Sequence, residues 1–205
     1  MIKATHHWFY TAFFDRYIAF IVKRDFKKIE LEGVWPQSDK ASLIIGNHIS
    51  WWDGFWVLCL NKKLLKKKLH VMMLEEQLEQ RRFLAKFGAY SIQPNSRTVI
   101  ETLNYTVDLL SDANNSVLLY PQGKFGSVVQ NEFHFERGIE FVLKKCPPVQ
   151  LLFYAAFVDY FSNRKPTLYC YLKEIEYGAY SLAEMNELYQ TFYNESRKLQ
   201  LTKAR

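Results

Sequence analysis

From residue 29 onward the hydrophobic pattern switches repeatedly between the two-residue alternation of a strand and the 3.6-residue stripe of a helix. Residues 29–34, 42–45, 69–73, 90–92, 117–120, 150–157 and 167–172 read as extended, and 53–61, 75–87, 98–110, 138–145 and 182–199 as helical. This alternation predicts an α/β fold, a largely parallel or mixed sheet flanked by helices. No repeat, low-complexity tract or linker interrupts the pattern, and 205 residues suit one domain over 28–205.

Residues 1–27 form a separate segment. Trp8, Phe9, Phe13, Phe14, Tyr17, Ile18, Phe20 and Ile21 surround a narrow polar stripe of His7, Thr11, Asp15 and Lys23 at helical spacing. Such a helix either packs into the core or lies in a membrane interface, and the basic cluster that follows it favours an amphipathic, interfacial helix. Aromatic residues make up 17% of the chain, more than a soluble core of this size usually needs, which agrees with an apolar–water boundary. The segment shows neither a signal-peptide cleavage site nor an uninterrupted apolar run of about 18 residues.

The net charge of +6 is unevenly placed. Residues 23–28 carry +3 and residues 62–68, KKLLKKK, carry +5, which leaves −2 for the rest. Two such patches either attract phosphate groups or are solvated lysine faces. The three cysteines, Cys59, Cys146 and Cys170, lie among apolar residues without CxxC spacing, as reduced buried thiols do, and point to a reducing compartment.

Two loops after strands concentrate the polar chemistry. In GNHISWWDG, residues 46–54, His48 and Asp53 are five apart; neither a continuous helix nor a continuous strand puts that spacing on one face. A turn through 50–52 with a helix beginning at Asp53 lets the carboxylate face the imidazole, as in a general base and its orienter. The alternative is a plain helix-capping Asp53 and a loop histidine. In YPQGKFGS, residues 120–127, one proline and two glycines allow close backbone approach to a ligand, and Lys124 adds a cation. Neither a P-loop nor a GxSxG elbow is present, and His134-Phe135-Glu136 lacks the PCxxC partner of a zinc site, so no metal is expected.

NHISWWD resembles the N-H-x4-D motif of the lysophospholipid (1-acylglycerol-3-phosphate) acyltransferase superfamily, and YPQGKFGS resembles its F-P-E-G-T-R-S motif. The likeness extends over about residues 28–175, with residues 88–92 and 147–149 at the places of the second and fourth motifs. It implies that His48 deprotonates an acceptor hydroxyl which attacks an acyl thioester directly, with Asp53 holding the imidazole and no acyl-enzyme. It implies further that Asn47, Ser50, Arg97, Tyr120, Pro121, Gln122, Gly123 and Lys124 contribute to substrate binding. The donor would be acyl-CoA or an acyl-carrier-protein thioester, with no bound cofactor. The partners would be this donor and membrane lipids, without nucleic acid, and the place the cytoplasmic face of a membrane, peripheral or monotopic.

The chain departs from that pattern where the acceptor would be held. Gln122 replaces a glutamate, while Phe125 and Pro94 stand where arginines are expected, with Lys124 and Arg97 nearby. Losing two arginines removes a bidentate grip on a phosphomonoester, which favours an acceptor without a terminal phosphate. The rival readings are a weak or inactive lipid-binding member of the same fold, a nucleic-acid binder using the lysine patches and aromatics, for which no recognised RNA- or DNA-binding motif appears, and a thioesterase in which water replaces the acceptor.

Overall fold

The computed structural model describes residues 1–34 and 36–204. The elements follow in the order α1 (Trp8–Asp25), β1 (Lys28–Glu32), β2 (Ser42–Gly46), α2 (Asp53–Lys63), β3 (Lys68–Leu74), α3 (Glu75–Gln80), β4 (Ala89–Ile92), α4 (Val99–Leu109), β5 (Asn115–Leu119), α5 (Gly138–Lys145), β6 (Gln150–Asp159), β7 (Thr167–Ile175) and α6 (Leu182–Thr202). The strands form one sheet in the order β1, β7, β6, β2, β5, β3, β4. Its neighbours run parallel except β6 and β7, so the expected α/β architecture is present in its mixed form.

Alternation along the central strands divides the core. Leu43, Ile45, Val117, Leu119 and Phe153 face α5 and α6, where Ile139, Val142, Met185 and Tyr189 meet them. Ile44, Leu118, Leu152 and Tyr154 face the opposite side and pack against Trp56, Val57 and Leu60 of α2. Strands buried on both faces need continuous apolar runs, and every residue of β2 and β5 is buried. The last helix starts on a capping box: Ser181 Oγ accepts from the Glu184 amide at 3.3 Å while Glu184 Oε2 accepts from the Ser181 amide at 2.8 Å.

Two features differ from the sequence expectation. The single helix over 75–87 is interrupted at Arg81, and a 3₁₀ turn, Arg82–Lys86, follows. Leu78 and Leu84 are both buried; six positions apart on a continuous helix they would lie about 120° apart, and the interruption turns both inward.

The second difference concerns α1, which does not divide into one polar and one apolar face. Asp15, on the expected polar stripe, pairs with Lys62 beneath the helix, and Ile18 and Ile21 are buried there. Phe14 stacks on Phe83 and Phe87 at 5.2 and 4.7 Å between ring centroids. Trp8, Phe9, Phe13, Tyr17 and Phe20 are left exposed. Ahead of α1 the chain closes the sheet edge at β4: Ser91 N donates to Ile2 O at 2.9 Å, Thr5 N to Ala85 O at 2.7 Å, and His7 N to Lys86 O at 2.8 Å. Cys59, Cys146 and Cys170 are free thiols, the last two buried.

Candidate active site

Since β2 and β5 are parallel neighbours, with Ile45 opposite Leu119, the loops that leave their C-terminal ends emerge side by side. This is the edge of an open α/β sheet at which ligands bind. His48 leaves β2 and Tyr120 leaves β5 at this edge. The turn expected through 50–52 is present, and α2 begins at Asp53. His48 Nδ1 lies 2.9 Å from Asp53 Oδ2, and the same oxygen accepts the amides of Ile49 at 2.7 Å and Ser50 at 3.0 Å. Asp53 therefore reaches back along the chain instead of capping α2; Trp52 occupies the N-cap position without a side-chain bond.

Asp53 is fully buried whereas the His48 side chain is 23% exposed, so the carboxylate is shielded and the imidazole is reachable. Burial raises the Asp53 carboxyl above the ordinary carboxylate range, and the bonds from His48, Ser50 and Ile49 oppose that rise. With Nδ1–H donated to Asp53, the lone pair of the neutral ring is on Nε2.

The second loop holds His48 from the other side. The His48 amide donates to Gln122 Oε1 at 3.0 Å, and its carbonyl accepts from the Gly126 amide at 2.7 Å. The imidazole lies between two rings: Tyr120 stacks on it at 4.2 Å with an interplanar angle of 8°, and Phe125 closes the other side at 4.2 Å and 34°. The arrangement fixes a histidine in one plane with one nitrogen anchored, which suits proton transfer at the other. A family model described as Acyltransferase matches residues 27–152, a segment that includes both loops.

The chain belongs to the Acyltransferase family. No curated protein matches it. The match covers the sheet from β1 into β6 and so contains the whole His48 environment of this acyltransferase. Membership carries the general activity, transfer of an acyl group from a donor substrate.

Residues named from the sequence occupy different places around the His48–Asp53 pair. Tyr120 and Gln122 contact His48 directly. Gln122 is buried, and its Nε2 donates to Gln130 Oε1 at 3.3 Å, so the amide braces the loop. Asn47 is buried, and both of its amide atoms bond the Ala156 backbone, at 3.0 and 2.8 Å, which ties the end of β2 to β6. Ser50 Oγ accepts from the Trp52 amide at 3.1 Å within the turn. Pro121 is buried and its carbonyl accepts from Glu136 N at 2.7 Å, while Gly123 and Lys124 are exposed at the tip of the loop. Arg97 is exposed in the turn after β4, three strands from β2 and so about 14 Å across the sheet. Among the described residues it forms no hydrogen bond or ion pair with His48 or Asp53.

Sequence reasoning missed Phe125, Gly126 and Gln130 as parts of the site. Phe125 was visible only as an absent arginine; the contact it makes depends on how the loop folds back over His48. Gly46 explains why a glycine precedes Asn47-His48. A Cβ there would sit 2.9 Å from Tyr154 Cδ1 and 3.2 Å from Tyr120 Cε1. Gly46→Ala is expected to press on Tyr154 and Tyr120, moving Tyr120 by a few tenths of an ångström against the His48 ring, and to lower kcat by about tenfold, part of the ~10²-fold that a full 1 Å misplacement costs. The check is kcat against melting temperature: a fall in stability of only about 1–3 kcal/mol should accompany it.

Proposed function

We propose that this protein is a membrane-associated acyltransferase that moves a fatty acyl group from an acyl thioester to a hydroxyl of a lyso-lipid or related lipid acceptor. The single observation that carries the reading is the His48–Asp53 bond at 2.9 Å, inside the family-matched segment and braced by both loops. In this mechanism His48 Nε2 takes the acceptor proton as the acceptor oxygen attacks the thioester carbonyl. The tetrahedral adduct then expels the thiolate of coenzyme A or of a carrier protein. The imidazolium returns the proton to that sulfur, so the products are an ester and a free thiol. Asp53 holds the ring and offsets its transient charge.

Membrane association is supported by the aromatic residues left exposed on α1, among them Trp8 at 78%, with Lys23 and Arg24 in its last turn. Among the described residues no helix is long and apolar enough to cross a membrane. The attachment proposed is peripheral or monotopic, on the cytoplasmic face. Phe125 supports an acceptor lacking a terminal phosphate, such as a lyso-diester, aminolipid or glycolipid, because an aromatic ring lies beside the base where an arginine was expected.

The test incubates purified protein with a labelled acyl thioester and a panel of acceptors. Transfer to lysophosphatidic acid should be poorer than to at least one acceptor without a terminal phosphate. Phe125→Arg should slow every acceptor, since it opens the ring sandwich, yet raise the relative kcat/KM for lysophosphatidic acid by about tenfold or more, as a charge-assisted bond to phosphate would. A wild-type preference for lysophosphatidic acid with no relative gain in the variant overturns the acceptor assignment. Thioester hydrolysis without transfer to any acceptor overturns the function.

A further inference from the structure

The lysine run at 62–68 is not used by the reaction, and the fold gives it a definite setting. Asn61 is buried beneath the turn after α2: its Nδ2 donates to Lys67 O at 2.8 Å, its Oδ1 accepts from Ser116 Oγ at 2.9 Å, and its carbonyl accepts the Lys66 amide at 2.7 Å. Lys66 is held in the left-handed region, at φ 58°. This anchored turn borders a cavity of about 320 Å³ between α1, the end of α2 and the start of β3. Phe14, Leu58, Leu69 and Phe87 supply apolar wall.

Four lysines, Lys62, Lys66, Lys67 and Lys68, line the cavity against one carboxylate, Asp15. Lys62 is paired with that carboxylate, and Lys67 is tied to Lys40 O and Ser42 Oγ. Lys66 and Lys68 form no ion pair among the described residues. The place is distinct from the active site. Lys68 is level with Asn115 at the start of β5, about 17 Å of strand below Tyr120. The helix that roofs the cavity, α1, turns Trp8, Phe9, Phe13 and Tyr17 outward.

We infer that this cavity is a binding site for the phosphate of an anionic phospholipid headgroup, with Lys66 and Lys68 as the contacting cations. The choice of a lipid rests on the reading of α1 as an interfacial helix: with the aromatic side chains at the acyl boundary, the cavity under the same helix lies at headgroup level. Its mixed lining fits a phosphate on glycerol. His6, another lining residue, reports on the local field; burial, then His70 and Lys68, push its imidazole down to about 4. A bound anion raises that value.

The experiment uses the full chain with vesicles of phosphatidylcholine, with and without phosphatidylglycerol. Lys66→Asn/Lys68→Gln should lower affinity for the anionic vesicles by about 30-fold, near fivefold per lysine, with neutral-vesicle binding unchanged. Lys145→Gln/Lys198→Gln, exposed lysines outside both basic patches, should cost clearly less. The His6 NMR titration should shift upward with the anionic lipid and much less with inorganic phosphate. Equal losses in the two variant pairs mean diffuse attraction and overturn the site. A full His6 shift with phosphate alone assigns the cavity to a free anion and overturns the lipid ligand. No His6 shift with either probe overturns it as well. Failure to bind neutral vesicles at all, with the anionic preference intact, counts against α1 and leaves the cavity assignment standing.

Discussion

Replacing His48 by alanine is expected to slow acyl transfer by about 10²- to 10⁴-fold, the range that a positioned general base contributes. The protein should remain folded. The substitution removes one side-chain bond to Asp53 and two ring contacts, from Tyr120 and Phe125. Such contacts are worth about 1 kcal/mol each. The backbone bonds of residue 48 to Gln122 and Gly126 do not depend on the imidazole and persist. Circular dichroism melts should therefore move by only several degrees while kcat/KM collapses for every acceptor. Turnover within a few-fold of wild type, in protein shown to be folded, removes His48 from the mechanism and the His–Asp reading with it.

Asp53 should separate two roles when two substitutions are compared. Asp53→Ala withdraws the acceptor shared by His48 and by the amides of Ile49 and Ser50, and leaves those two amides without their partner in a half-buried turn. At about 1–3 kcal/mol for each unsatisfied donor, partly offset by removing a carboxylate that burial disfavours, the expected loss of stability is about 2–5 kcal/mol. Melting should fall by about 4–20 °C for a chain of this size, and activity should vanish with the turn. Asp53→Asn keeps an oxygen for the amides, so melting should move little. It removes the charge that offsets the imidazolium, and kcat should still fall by about 10²-fold or more. Near-normal kcat in Asp53→Asn would reduce Asp53 to a strut of the turn.

Much of this fold could be read from the chain because its signals are local. Residues 43–45 and 117–119 are short apolar runs followed by loops, and the sheet buries both on two faces. The His48–Asp53 pairing was legible because only a turn could join residues five apart. What stayed hidden depends on contacts between distant segments. Phe125 reaches His48 across 77 positions, which no spacing rule describes. Asn47 reads as part of a reactive motif, but its amide ties two strands together, a role set by Ala156. The polar stripe of α1 was visible, but its side of the helix was not: Asp15 turns inward because Lys62 is there to meet it.

The position of β1 sets the timing of assembly. Its hydrogen-bonding partner is β7, Lys28 pairing with Thr167 and Glu32 with Tyr171, so the strand that is made early can pair only after about 140 further residues have been synthesised. At about 5–20 residues per second that delay is about 7–30 s. The opposite edge closes sooner, when residues 85–91 become available to residues 2–7. During the longer interval the sheet grows outward from β2 while one flank stays open, although the aromatic helix is already seated through Asp15 on Lys62 and through Phe14 on Phe83 and Phe87. Its outward aromatic side chains, exposed in the finished fold as well, can therefore meet a lipid bilayer or a chaperone before the β1 flank is closed.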